Sequence, residues 1–214
     1  MKLPIRASLA LVAVLATGCA HFEASPLAPH WTASSQIGQQ EISGLSIAAR
    51  TLDGMREENE YIGRPARDRG FLPLVLLFEN TGDRAFLIRR EGIKLETADG
   101  KTYPAAELSE IYDGLRFSKG AALWGVPLGL FPAFFMGSRI SEQNEKLLED
   151  LNAKTFHDLR LFRNPRSYNS LAFFDLNERL FELGPGDFWL SVEVEKDATP
   201  EAPGEILLFR LTTE

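Results

Sequence analysis

Between Lys119 and Arg139 the chain carries nineteen consecutive uncharged residues (120–138), with AALWGVPLGLFPAFFMG (121–137) at their centre. A straight helix of that length would run roughly 28 Å, close to the hydrocarbon thickness of a bilayer. Two features of the sequence oppose such a span. Pro127 and Pro132 lie inside it, and each removes a backbone donor and clashes with the preceding turn. Strand-like runs also occur on both sides, so a single crossing would separate strands that belong to one sandwich. The segment therefore reads as a bent apolar insert. In one reading Leu-Gly-Leu-Phe-Pro is a hairpin tip that dips into a leaflet. Trp124, Leu128, Leu130, Phe131, Phe134 and Phe135 then meet lipid or a protein partner, with Trp124 near the headgroups. In the other reading the segment is buried against its own domain, and Gly125 and Gly129 permit close backbone approach.

The flanking runs predict a mainly β protein. FLPLVLLFEN (71–80) is continuously apolar and suits a central, fully buried strand. EISGLSIAARTL (41–52) alternates loosely at Ile42, Leu45 and Ile47. A hairpin is expected from 71 to 90 through Thr81-Gly82-Asp83, and Asp99-Gly100 marks a second tight turn. The C-terminal third supplies SLAFFDL (170–176), FWLSVEVE (188–195) and EILLFRLT (205–212). In FWLSVEVE, Phe188, Leu190, Val192 and Val194 alternate with Trp189, Ser191, Glu193 and Glu195, giving one buried and one wet face. Over about 41–103 and 168–213 this spacing resembles the wider Ig-like antiparallel β-sandwich group. The Cys–Trp–Cys mark of antibody domains is absent, and the likeness implies architecture without an active site.

A partly helical, apolar insertion is expected at 104–165. PAAELSEIYDGL predicts a short helix starting at Pro104. Residues 139–154 predict a longer one with an apolar stripe at Ile140, Leu147, Leu148 and Leu151. Ser138 or Ser141 would cap it, Lys146–Asp150 and Glu145–Glu149 would lie on its wet side, and it would pack on the sandwich edge. MREENEYIGRPARDRG (55–70) reads as a solvated loop, its carboxylates forming a charged face and its arginines free to meet anionic headgroups.

The first residues have a separate task. Lys2 and Arg6 precede an apolar run from Ala7 to Ala16, and Thr17-Gly18 lead into Cys19, the single cysteine of the chain. LATGC resembles the lipobox of bacterial lipoproteins, with Ala16 where Leu is commoner. The resemblance implies that 1–18 is a signal peptide and that Cys19 is acylated on sulfur and amine with palmitate-type chains. Several chains give stable attachment where one would be marginal. Ala20 in place of Asp implies the outer membrane, with the domain facing the periplasm. Residues 19–40, rich in Ala, Ser, Pro and Gln, then read as a flexible tether reaching roughly 25 Å, ahead of the domain at 41–214.

A net charge of −7 without a basic stripe argues against a nucleic-acid partner. No nucleotide-binding, zinc-protease or serine-hydrolase motif is present, so no metal, cofactor or catalytic residue is expected. His157-Asp158 reads as a helix-end pair rather than a catalytic one, and Asp53, Asp83 and Asp99 beside glycine read as turn residues. The expected protein is a lipid-anchored, non-enzymatic envelope lipoprotein. It would contact membrane lipid through acylated Cys19, and an envelope protein or its own copies through 121–137. The alternative is a periplasmic small-ligand-binding or accessory subunit whose apolar insert lines a groove.

Overall fold

The computed structural model describes residues 22–27, 39–52, 54–117, 130–162, 167–177, 180, 188–196 and 204–211, with the backbone alone at Gln39, 130–139 and 209–211. In chain order the elements are β1 (Gln39–Ile42), β2 (Leu45–Thr51), α1 (Gly54–Tyr61), β3 (Phe71–Asn80), β4 (Phe86–Thr97), β5 (Thr102–Pro104), α2 (Leu108–Leu115), α3 (Leu130–Lys154), β6 (Leu159–Leu161), β7 (Ser167–Asp175), β8 (Phe188–Lys196) and β9 (Glu205–Leu211). A single 3-10 turn, Arg67–Arg69, precedes β3.

The protein is a mainly β, antiparallel sandwich with a partly helical insertion, as expected. One sheet has the order β1-β2-β3-β7; the other has the order β5-β4-β8-β9, with β6 also paired to β4. Strand β3 pairs with β7 and β4 pairs with β8. Chain from before and after the apolar stretch therefore shares both sheets, which excludes a single membrane crossing between them. Among the described residues no helix is long and apolar enough to cross a membrane.

Alternation along the strands creates two cores on opposite faces of the first sheet. Leu72, Leu74, Leu76 and Phe78 of β3 point between the sheets, where they meet Ile88, Ile93 and Leu95 of β4 and Leu190, Val192 and Val194 of β8. Phe71, Val75 and Leu77 point the other way, toward Ile62, Ile111, Leu115, Leu147 and Leu151 of the helical layer. Both faces of β3 are covered, which is why its sequence is apolar throughout rather than alternating. β8 alternates in part: Phe188, Leu190, Val192 and Val194 are all inside, but Ser191, expected on the wet face, is buried as well.

Several expectations are corrected. The run 41–52 is two strands, because Ser43 and Gly44 both take positive φ (51° and 84°), as a two-residue hairpin turn of this twist requires. Strands β3 and β4 do not form a hairpin. β2 and β7 already occupy both edges of β3, so β4 has no free edge there and enters the other sheet. Buried Asn80 holds this crossover, donating to the Arg84 carbonyl at 2.8 Å and accepting from the Gly82 amide at 3.0 Å.

Residues 55–70 are not a solvated loop. They form α1 and the 3-10 turn, and bury Glu58, Ile62 and Ala66. Glu58 faces inward because Arg67 follows it there. Its Oε1 lies 3.0 Å from Arg67 Nε, and its Oε2 accepts from the Arg67 amide at 3.1 Å. Burial pushes the Glu58 carboxyl above its ordinary pKa, and the Arg67 amide and charge pull back against this.

Helix α3 starts at Leu130, so Ser138 and Ser141 lie within it and cap nothing. It packs across the face of the first sheet rather than on the sandwich edge. Leu148 leaves the expected stripe and is 39% exposed. The ion pairs are Lys146–Glu142 and Lys154–Asp150, not Lys146–Asp150. Pro104 belongs to β5, and α2 starts after Glu107, which exchanges capping contacts with Glu110.

Candidate functional site

The apolar stretch follows α2 in sequence and runs into α3, with Phe117 the last described residue before it. One turn of α3 holds both Phe117 and the N-terminal segment. Asn144 Oδ1 accepts from the Phe117 amide at 2.7 Å, and its Nδ2 donates to the Phe117 carbonyl at 3.1 Å. This two-bond grip satisfies backbone groups that the end of α2 leaves open. Arg64 closes the same corner. Its guanidinium stacks 4.1 Å above the Phe117 ring and donates to the Leu115 carbonyl. Burial, with Arg69 nearby, lowers the Arg64 pKa from its ordinary value.

Next to Asn144, buried Gln143 accepts from the Phe22 amide through Oε1. Phe22 and Leu27 pack against the helical core, and the Ser25 amide donates to the Glu60 carbonyl at 2.6 Å. Gly63 makes room for Phe22. Its φ is +75°, and a Cβ there would stand 2.6 Å from the Phe22 ring. The segment expected to be a free tether over 19–40 is thus docked over 22–27. Partial burial of Phe22 and Leu27 offsets part of the entropy lost in ordering these residues, and the hydrogen bonds at Phe22 and Ser25 hold them in register.

A groove of about 680 Å³ lies between α2 and α3, lined by Tyr112, Arg116, Phe117, Ser141, Asn144, Glu145 and Leu148. It combines aromatic and aliphatic walls with one exposed cation and one carboxylate.

Of the residues expected to make contact, Cys19, Trp124 and Leu128 lie outside the described residues. Leu130, Phe131, Phe134 and Phe135 fall on the first turns of α3. The expected hairpin tip is corrected there: the chain is helical from Leu130, and Pro132 sits in the first turn, where an amide has no intrahelical partner to lose. Positions 131, 134 and 135 share one helix face by their spacing. At 3.6 residues per turn that face runs into Glu142, Glu145 and Glu149, about half a turn round from buried Ile140, Leu147 and Leu151.

His157 is exposed, with Nε2 3.1 Å from the Asn152 carbonyl at the end of α3, and Asp158 accepts from the Arg90 amide at 2.9 Å. Among the described residues no group of three or more His, Cys, Asp or Glu is arranged to hold a metal ion.

Phe22, Gln143 and Asn144 had no contact assigned in the sequence-based expectation, and Arg64, expected as a solvated arginine free to meet anionic headgroups, instead packs on Phe117. An aromatic ring in an Ala/Ser/Pro-rich segment, where Trp31 is the other one, was the available signal for Phe22. Gln143 and Asn144 carried none, since polar residues within an amphipathic helix usually face water.

No protein-family model matches the chain, and no curated protein matches it. Among solved structures it is similar to the crystal structure of the yjhA protein from Bacillus subtilis, with a TM-score of 0.42 and 8% identity over 82% of this chain and 98% of that one.

Proposed function

We propose that the chain is a lipid-anchored envelope lipoprotein that works by contact with a membrane or protein surface rather than by catalysis. Cys19 would carry the acyl chains and hold the domain at the periplasmic face of the outer membrane. The observation that carries the contact reading is the helical register of α3. Three phenylalanine positions, 131, 134 and 135, continue the face that bears Glu142, Glu145 and Glu149, not the face that packs on the sheet. An aromatic cluster in line with a water-facing row is what a lipid or partner surface would cover.

The test is vesicle flotation and oligomeric state for three forms: the parent, Cys19→Ser, and Cys19→Ser with Phe131→Ser, Phe134→Ser and Phe135→Ser. The parent should incorporate a fatty-acid probe and float. Cys19→Ser should lose the probe and retain weaker binding, which the added serines should remove. Equal binding and self-association with and without those serines would defeat the contact reading.

The groove between α2 and α3 favours a second reading, a periplasmic small-ligand-binding or accessory subunit. Saturable binding of a small amphipathic molecule, weakened by Leu148→Glu and untouched by the phenylalanine changes, would select it.

A further inference from the structure

We infer that the docked segment Phe22–Leu27 fixes how the domain sits on the bilayer, with the Gln143–Asn144 corner of the helical layer against the lipid and the β4–β8–β9 sheet turned away. This rests on the lipid-anchor reading of Cys19. A free tether over 19–40 would reach roughly 25 Å and permit any orientation. The docked segment removes that freedom. Phe22 is held at Gln143 and against Gly63, and Ser25 at Glu60. Phe22 is three positions after Cys19, and a fully extended chain covers at most about 11 Å over those three steps. The acyl chains must therefore enter the bilayer within that distance of the Phe22 amide.

The neighbouring side chain sharpens the inference. Asn144 grips Phe117, the last described residue before the apolar stretch, so the described residues nearest the anchor and nearest the apolar stretch are held at one turn of α3. Two hydrophobic attachments from one corner act together, because the first raises the local concentration of the second at the surface. The far sheet lies beyond two successive core layers of about 10 Å each. Ile206 is exposed on that sheet, next to inward-facing Leu207, and Ser141 is exposed on α3, so the two positions lie on the two outer layers of the fold.

The experiment uses full-length lipidated protein in phosphatidylcholine vesicles containing a headgroup-region quencher. Acylated Cys19 leaves no competing thiol, so a fluorophore can be placed singly at Ser141→Cys or Ile206→Cys. Quenching should be several-fold stronger at 141 than at 206. Adding Phe22→Ala, or separately Gln143→Ala, should bring the ratio toward one while flotation and fatty-acid labelling persist. Equal quenching at the two sites in floated protein overturns the inference and leaves the anchor reading standing. So does an asymmetry that survives both substitutions, because orientation would then not depend on the docked segment. Protein that takes up no fatty-acid probe and does not float overturns the anchor reading, and the inference with it.

Discussion

The two faces of the first sheet are closed by different chemistry. The face toward the second sheet is an apolar contact of Leu, Ile, Val and Phe from seven strands, joined by Phe156 from the chain after α3. The face toward the helices is also apolar at its centre, but its margins are held by polar grips. Glu58 pairs with Arg67, Lys154 bonds Asp150 and the Tyr61 carbonyl, Asn144 holds Phe117, and Gln143 holds Phe22. Apolar packing between sheets is tolerant of detail and strong in sum. A hydrogen-bonded margin is specific and weaker per contact, and it decides where the chain enters and leaves. The corner proposed to meet the membrane is built on the second kind.

The largest effect should come from the sandwich side. Phe78 is fully buried, with its ring centroid 5.4 Å from that of Phe156. Phe78→Ala should cost about 3–5 kcal/mol in urea unfolding and lower the single transition as a whole. If only the helical amides lost protection from hydrogen exchange, the contrast between the two faces would be wrong.

Arg67→Ala should come next, at about 3 kcal/mol, because it strands a buried carboxylate without its counter-charge. Glu58→Ala should cost less, since the arginine left behind is 31% exposed and can turn to water, whereas Glu58 is 1% exposed. The pH dependence has a definite sign. Burial raises the Glu58 pKa in the fold, so its contribution is fully present below the ordinary value and is lost as pH rises through the raised one. Without Arg67 the carboxyl is pushed higher still. The Arg67→Ala deficit should therefore grow from about pH 4 to about pH 7, measured by thermal unfolding across that range. A deficit that shrank with rising pH would contradict an inward-facing, desolvated Glu58.

This contrast also explains what could be read from the sequence. The sandwich was legible because alternation is local: Phe188 to Val194 announce their inner face within eight residues, and FLPLVLLFEN announces cover on both sides. The crossover from β3 to β4 was not, since the edges of β3 are taken by strands on either side in sequence, one of them almost a hundred residues later. Glu58 was hidden among Glu57, Asn59 and Glu60; only Arg67, brought back by the turn at Gly63, distinguishes it. The contact corner was half legible. Its apolar stretch stood out, but the side chains that pin it, Gln143 and Asn144, are ordinary helix residues until Phe22 and Phe117 arrive from distant chain.

A smaller and more local effect is expected at that corner. Asn144→Ala removes both bonds to Phe117 and should cost about 1–2 kcal/mol. Amide exchange should rise at Phe117 and the last turn of α2, with the sandwich strands unchanged. Asn144→Asp keeps the acceptor for the Phe117 amide and loses the donor, so it should fall between the two. Uniform acceleration through the strands would mean that the polar margin is part of the cooperative core, which would erase the distinction between the faces.

The smallest effect separates two adjacent leucines of α3 and tests the helix phase itself. Leu147 is fully buried against the first sheet, while Leu148 is 39% exposed and lines the groove with Tyr112 and Phe117. Leu147→Ala should cost about 2–5 kcal/mol as a buried large-to-small change. Leu148→Ser should stay within about 0.5 kcal/mol, as surface changes do. The sequence pattern alone put both leucines on one packed stripe and would expect similar losses. Similar losses on measurement would mean that Leu148 packs as Leu147 does, and would remove it from the wall of the groove between α2 and α3. The proposed small-ligand reading, which rests on that groove, would then lose its aliphatic wall, so a stability measurement on a surface leucine bears on the choice between the two proposed readings.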